Sequence, residues 1–221
     1  MPGTIGQRVT RSGRTYFGKL YTTLMTLTTV TGTFTYGETV TGGTSSATGV
    51  VVYWNGTDSE LQVAGVSGTF ANSETITGGT SSATGTTSAA PAAGYPTTWT
   101  ALQHITDQFQ VNRQRADQEI IDSGSAETDF ADHIAGVQSA TGSWTLAMMP
   151  ANVTWQLFEG AMDYNLDMEI KRVLVDRDAA TTRTRYYGGT VNGFNESDPV
   201  QNESTVAINF LFTSVSLADP T

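Results

Sequence analysis

The sequence predicts a mostly β protein, an antiparallel β-sandwich or barrel with one flanking α-helix, plus a small inserted β domain. Three observations predict it. Thr, Val, Tyr, Phe and Trp, residues that fit a pleated and half-buried surface, recur in alternating runs while charged residues make up only 14% of the chain. A Gly/Thr/Ser-rich motif occurs twice. One stretch, residues 150–162, carries helical rather than period-two spacing.

Residues 1–30 read as an N-terminal arm and first strand. They hold Arg8, Arg11, Arg14 and Lys19 and no acid, so this stretch either pairs with an acidic neighbour or stays solvated. Residues 31–90 read as the inserted domain. Gly32–Gly49 (GTFTYGETVTGGTSSATG) and Gly68–Gly85 (GTFANSETITGGTSSATG) are offset by 36 residues and agree at 14 of 18 positions. The differences are Thr35/Ala71, Tyr36/Asn72, Gly37/Ser73 and Val40/Ile76. Between the copies, Asn55-Gly56 separates two apolar runs, a hairpin signal because both residues tolerate positive φ. The unit can bury Phe34, Val51, Tyr53, Leu61, Val63, Phe70 and Ile76, and its thin core predicts that it leans on the rest of the chain. Ala89–Pro96, small-residue rich and ending in proline, reads as a linker.

Residues 91–221 read as the sandwich core. Strands are expected at 99–106, 109–115, 118–122 and 142–149, the last alternating Trp144, Leu146 and Met148 against Ser143, Thr145 and Ala147. A helix is expected over Pro150–Met162, capped by Asn152, with Gly160 marking its end region. Leu166–Val175 is a long strand whose phase blurs at Arg172–Val175, which suggests a bulge or burial on both faces. Asp176–Thr181 is a polar turn, Thr182–Phe194 alternates again, and Thr205–Leu217 is the cleanest strand, with Val206, Ile208, Phe210 and Phe212 on one side.

The charge balance limits function. The net charge is −10, so binding nucleic acid by counterion release is not expected, although such a surface lets DNA slide past. There are no cysteines, which excludes disulfides and thiolate metal sites. No apolar run is long enough to span a membrane or to act as a signal peptide, so the expected place of synthesis and use is a cytosol, with no membrane partner.

Three stretches carry a family likeness. Ile105–Arg115 followed by Glu119–Ser123, then Ile134–Leu146 (IAGVQSATGSWTL), then Arg183–Phe194 (RTRYYGGTVNGF) with Ser197–Ser216, resemble the paired early strands, the Gly-then-strand passage and the closing hairpin of the tail tube (major tail) proteins of long-tailed phages. The likeness covers a little over half of the chain. It rests on residue types rather than fixed residues, and the 31–90 repeat departs from simpler family members. It implies a virion protein, assembled in the host cytoplasm, whose protomers form stacked hexameric rings. DNA passes through the lumen without specific binding, and other tail proteins sit at the tip and neck. It implies a subunit interface, for which Arg8, Arg11, Arg14, Arg113, Arg115, Glu119, Arg183, Arg185 and Phe210 are the candidates. The arm, the hairpin around 115–132 and the tail after Phe212 would bridge rings. The alternative is a virion decoration or receptor-binding (fibre or adhesin) protein, suggested by the repeats.

No enzyme is expected, and no catalytic, cofactor or metal site. His104 and His133 lack metal-ligand spacing, and no nucleophile elbow, Walker loop or dinucleotide fingerprint occurs. Gly42-Gly43 and Gly78-Gly79 read as turns, since no Lys follows them. Asp163–Glu169 imitates the start of a calcium loop, but Met168 stands where Gly is required. Trp144, Trp155, Phe158 and Tyr164 could form a sugar platform, or core and interface packing, which the spacing favours.

Overall fold

The computed structural model describes residues 14–103, 110–120, 132–147, 151–175, 182–197 and 204–216. In chain order the strands are β1 (Arg14–Leu20), β2 (Thr22–Thr31), β3 (Thr39–Gly42), β4 (Thr48–Asn55), β5 (Glu60–Ser67), β6 (Thr75–Gly78), β7 (Thr84–Thr87), β8 (Ala92–Gly94), β9 (Thr100–Leu102), β10 (Gln110–Ile120), β11 (Asp132–Ala147), β12 (Asp167–Val175), β13 (Thr182–Ser197) and β14 (Thr205–Ser216); helix α1 (Val153–Asp163) separates β11 from β12. All pairings are antiparallel, in the order β10-β11-β14-β13-β12-β1-β9 for one sheet and β5-β4-β3-β6-β7-β2-β8 for the other. A further β2–β5 pairing closes six strands of the second sheet into a barrel, with β8 hung on β2. This is the mostly β class that the alternation predicts.

The open sheet folds because one face is apolar and one helix covers it. Val206, Ile208, Phe210 and Phe212 of β14 face inward with Trp144 and Leu146 of β11, Met168 and Ile170 of β12, and Tyr187 and Val191 of β13. Trp155, Leu157, Phe158 and Ala161 of α1 close this core. Trp144 is its hub, meeting Tyr16, Phe158 and Phe210 edge-on at centroid distances of 5.4, 5.4 and 5.7 Å, a favoured aromatic geometry.

Helix α1 starts as expected: the Asn152 side chain accepts a hydrogen bond from the Thr154 N–H at 2.8 Å. It ends one residue beyond the expected Met162. The chain leaves the helix after Asp163, through Asn165 at φ 48, a left-handed position that Asn tolerates. Gly160 stays inside the helix because it faces the barrel, where a Cβ would lie 3.4 Å from Val52 Cγ1.

The barrel has an internal twofold relation that extends beyond the visible repeat. Adding 36 maps β2–β3–β4 onto β5–β6–β7, and the pairings obey the same rule. Met25 pairs with Leu61 and Thr41 with Thr77, each with its own equivalent, while Leu27–Thr87 matches Val63–Val51. Thr29 (φ 49) and Gly65 (φ 57) share a left-handed backbone at equivalent positions. The core holds Met25, Leu27, Phe34, Val40, Val51, Leu61, Val63, Phe70 and Ile76. The halves are locked by exchanged carboxylates. Glu38 accepts from Thr35 N (2.6 Å), Thr80 N (3.1 Å), Ser81 N (2.9 Å) and Ser81 Oγ (2.7 Å). Glu74 accepts from Ala71 N, Thr44 N (3.2 Å), Ser45 N (2.9 Å) and Ser45 Oγ (2.9 Å). Gly78 and Gly42 make room: a Cβ there would meet Glu38 Oε2 at 2.8 Å and Glu74 Oε2 at 2.6 Å.

Several sequence expectations are refined. The boundary expected between residues 30 and 31 falls near the end of β2, whose pairings are all with strands of the barrel sheet. Tyr53 packs against the open sheet's core instead of the barrel's. The Asn55-Gly56 hairpin forms, but with a four-residue turn. Asn55 Oδ1 accepts from Thr57 and Asp58, and Ser59 rather than Gly56 takes the positive φ. Part of the expected linker is β8. The two strands expected at 109–115 and 118–122 are one, β10, and β11 begins ten residues before Gly142. β12 has no bulge. Its register is continuous on both sides, and Lys171, Arg172 and Val173 are all half-buried, so partial burial of both faces explains the blurred phase.

Candidate assembly interface

The open sheet ends in two unlike edges. On one side lies β9, three residues long and paired to Tyr16–Gly18 of β1. Trp99, just before it, covers part of the sheet's outer face, with Lys19 Nζ 4.4 Å and Lys171 Nζ 5.5 Å from its ring centre. On the other side lies β10, eleven residues paired, among the described residues, only to β11. A long edge strand with one unsatisfied row of backbone groups is a template for adding another strand.

Beyond the sheet, β10 and β11 continue as a two-stranded ribbon. β14 supports β11 only from Ala140 to Ala147, whereas β10 follows β11 down to Asp132. The unsupported part, Gln114–Ile120 against Asp132–Ser139, reaches about 20 Å at strand rise. A register shift between Arg115 and Asp117 places the extra residue on β11, which bends and twists such a ribbon.

Among the described residues, the outer face near this edge carries no charge. Ala207, Asn209, Leu211 and Thr213 of β14 are exposed. A depression of about 330 Å³ is lined by Gln110, Asn112, Thr141, Ser143, Asn192 and Asn209, together with Gly142 and Phe210.

The barrel is attached to α1 asymmetrically, through Tyr36 and Val52 of its first half and Gly65 of its second. The Tyr36 hydroxyl bonds the Glu159 carboxylate of α1, and burial, then that bond, raises its pKa well above the ordinary tyrosine value. Val52 packs on Gly160, and Gly65 lies beside Tyr164. The positions equivalent to these, Asn72, Ser88 and Thr29, are all exposed. Three of the four differences between the repeats therefore fall in the turn that meets the helix.

No protein-family model matches the chain, and no curated protein sequence does. Among solved structures, the chain is similar to the SPP1 tail tube, determined by solid-state NMR and cryo-EM, with a TM-score of 0.42 and 11% identity over 54% of this chain and 67% of that one. It is also similar to the tail of an empty GTA particle, refined with C6 symmetry, with a TM-score of 0.39 and 11% identity over 54% of this chain and 86% of that one.

The predicted interface residues fall in different places. Arg8 and Arg11 lie outside the described residues. Arg113, Arg115 and Glu119 are on the edge strand β10, opposite Ala140, Gln138 and His133. Arg14 and Arg183 flank Leu174 across β1 and β13, and Arg185 stands opposite Arg172. Phe210 is not at a surface. It is 1% exposed, stacked on Phe212 and edge-on to Phe158, so it belongs to the protomer core. Trp144, Trp155 and Phe158 are likewise core residues, not a sugar platform. Arg172 was missed by sequence reasoning. Centring the β12–β13 hairpin on the polar turn 176–181 would have placed it opposite Arg185.

Proposed function

We propose that the chain is a structural subunit of a phage tail tube, self-assembling into stacked hexameric rings through which DNA passes, with other tail proteins at tip and neck. The observation that carries this reading is the eleven-residue edge of β10, unpaired among the described residues, continued as a ribbon and set against a three-residue edge at β9. A sheet with one adhesive edge and a projecting ribbon suits head-to-tail association of like copies. The outer face near β10, uncharged among the described residues, and the net charge of −10 suit a wall along which DNA slides without sticking. Assembly of this kind is what the sequence resemblance implies.

Negative-stain microscopy of the concentrated, purified protein tests it. Rings or cylinders of uniform width are expected, and a monomer at every concentration would refute the reading. The barrel, a closed unit with its own core, favours a second reading as a decoration or receptor-binding protein, which would give trimers or capped knobs in the same micrographs.

A further inference from the structure

On the tube-subunit reading, we propose that successive copies around a ring are joined by charge: the acidic outer half of one copy's β10–β11 ribbon meets an arginine cluster on the next copy's β12–β13 hairpin. Three observations on placement carry it.

The first is a cluster of cations that no described residue balances. Arg172 and Arg185 are direct cross-strand partners. Alternation puts them on the core face, beyond Ile170 and Tyr187, where the apolar rows end. Like charges directly opposite in a sheet are unfavourable unless an anion offsets them. Arg172 Nε is buried with no hydrogen-bond partner among the described residues, and neither arginine forms an ion pair with a described residue. One step further along, Leu174 pairs with both Arg14 and Arg183, so four arginines gather at this end of β1, β12 and β13.

The second is the charge order along the ribbon. Arg113, Arg115, Asp117 and Glu119 occupy alternate positions of β10, with Arg113 where the sheet still supports the strand, Arg115 at the start of the ribbon and the acids farther out. Asp132 adds a third acid on the facing strand, opposite Ile120.

The third is topology. β11 and β13 are both antiparallel to β14, so they run in the same direction. The ribbon's outer half precedes Ala140, and the arginine hairpin precedes Gly189; both of these residues pair with Phe212. The acids and the arginines therefore project from the same end of the sheet, toward its opposite edges. Copies related by rotation around a ring present one copy's β10 edge to the next copy's β9 edge, with those ends level. That is a heterologous contact, which closes into a ring. A net charge of −10 disfavours nucleic acid as the counter-anion.

Charge exchange tests the pairing. Arg172→Glu/Arg185→Glu and Asp117→Lys/Glu119→Lys are each expected to raise the concentration needed for ring formation at least tenfold, with the folded monomer retained by circular dichroism. Mixing the two variants one-to-one should restore rings, because alternating copies then match at every contact, and a chain carrying all four changes should assemble alone. Arg172→Gln/Arg185→Gln serves if the reversal does not fold. Wild-type rings together with unaffected variants would overturn the pairing but leave the tube reading intact. A wild-type protein that never assembles would overturn both. Duplex DNA binding that depends on the arginines, with assembly unchanged, would assign the cluster to nucleic acid instead.

Discussion

Glu38 and Glu74 sit in each other's half of the barrel: Glu38 holds the turn at Thr80–Ser81, and Glu74 the turn at Thr44–Ser45. Each carboxylate satisfies N–H groups that its own half cannot reach, and each is almost fully buried, at 5% and 2% exposure. Replacing either by Gln puts an N–H₂ where acceptor oxygens are needed. Glu38→Gln and Glu74→Gln are each expected to destabilise the barrel by about 2–3 kcal/mol, in the range for hydrogen bonds to a charged group. Urea unfolding followed through Trp54 fluorescence measures it. An unchanged midpoint would show that the exchange is incidental.

The same residues predict an acid limit. Burial by itself would raise the Glu38 pKa, but hydrogen bonds from Ser81, Thr35 and Thr80 outweigh it and hold the group at about 2, against 4.5 ordinarily. Glu74 is lowered likewise, through Ser45, Ala71 and Thr44, against the opposing effect of burial. A depressed folded pKa gives stability that is complete above about pH 4.5 and is lost as the pH falls toward 2. For Glu38 the loss amounts to about 3 kcal/mol at most. Unfolding free energy should fall across that window, and the slope should shrink in Glu38→Gln.

Tyr36 is the barrel's polar tie to α1. Tyr36→Asn copies the residue that the other repeat already carries at position 72, so the turn itself will accept it. The barrel should stay folded while the amides of α1 lose hydrogen-exchange protection several-fold. Equal protection in mutant and wild type would mean that the contacts of Val52, Tyr53 and Gly65 hold the two units together without it.

Thr29 is a β-branched residue in the left-handed region, where its equivalent is Gly65. Its hydroxyl makes only a 3.4 Å contact with Thr86 Oγ1, which compensates little. Thr29→Gly is therefore expected to stabilise the barrel by about 0.5–1 kcal/mol, the relief of backbone strain exceeding the added freedom of the unfolded chain. Thermal melting decides it; a lower melting temperature would contradict the strain argument.

Phe210 and Leu211 are neighbours with opposite surroundings, 1% and 42% exposed. Phe210→Ala should cost about 3–5 kcal/mol of folding stability. Leu211→Asp should leave monomer stability within about 0.5 kcal/mol, as is usual for exposed positions. Denaturant titration of the two variants separates folding from assembly, and similar losses in both would undo the assignment of faces.

How much of this was legible in the sequence follows from what constrained each residue. β14 was plain because one of its faces is buried throughout, which forces strict alternation. The ribbon half of β11 was not read, since without a third strand or a core it leaves no apolar period. The repeat was visible where the carboxylate exchange fixes the glycines, the acid and the serines. It vanished in β2 and β5, where only inward apolar positions are required: of the equivalent residues 22–31 and 58–67, only Val30 and Val66 are identical. Among the interface candidates, the arginines expected on strands lie on β10 and β13. Alternation alone could not tell that Phe210's apolar row faces its own helix.

The barrel's duplicated plan carries a hazard during synthesis. When the first half leaves the ribosome, Glu38 has no turn to hold until residues 80 and 81 follow. The corresponding segment of another newborn chain fits it equally well, because the two would be chemically the same. At high local concentration, barrels would then close between neighbouring chains as well as within them. Order therefore depends on how quickly the second half arrives, and crowded expression should yield interlocked pairs that dilution alone is slow to separate.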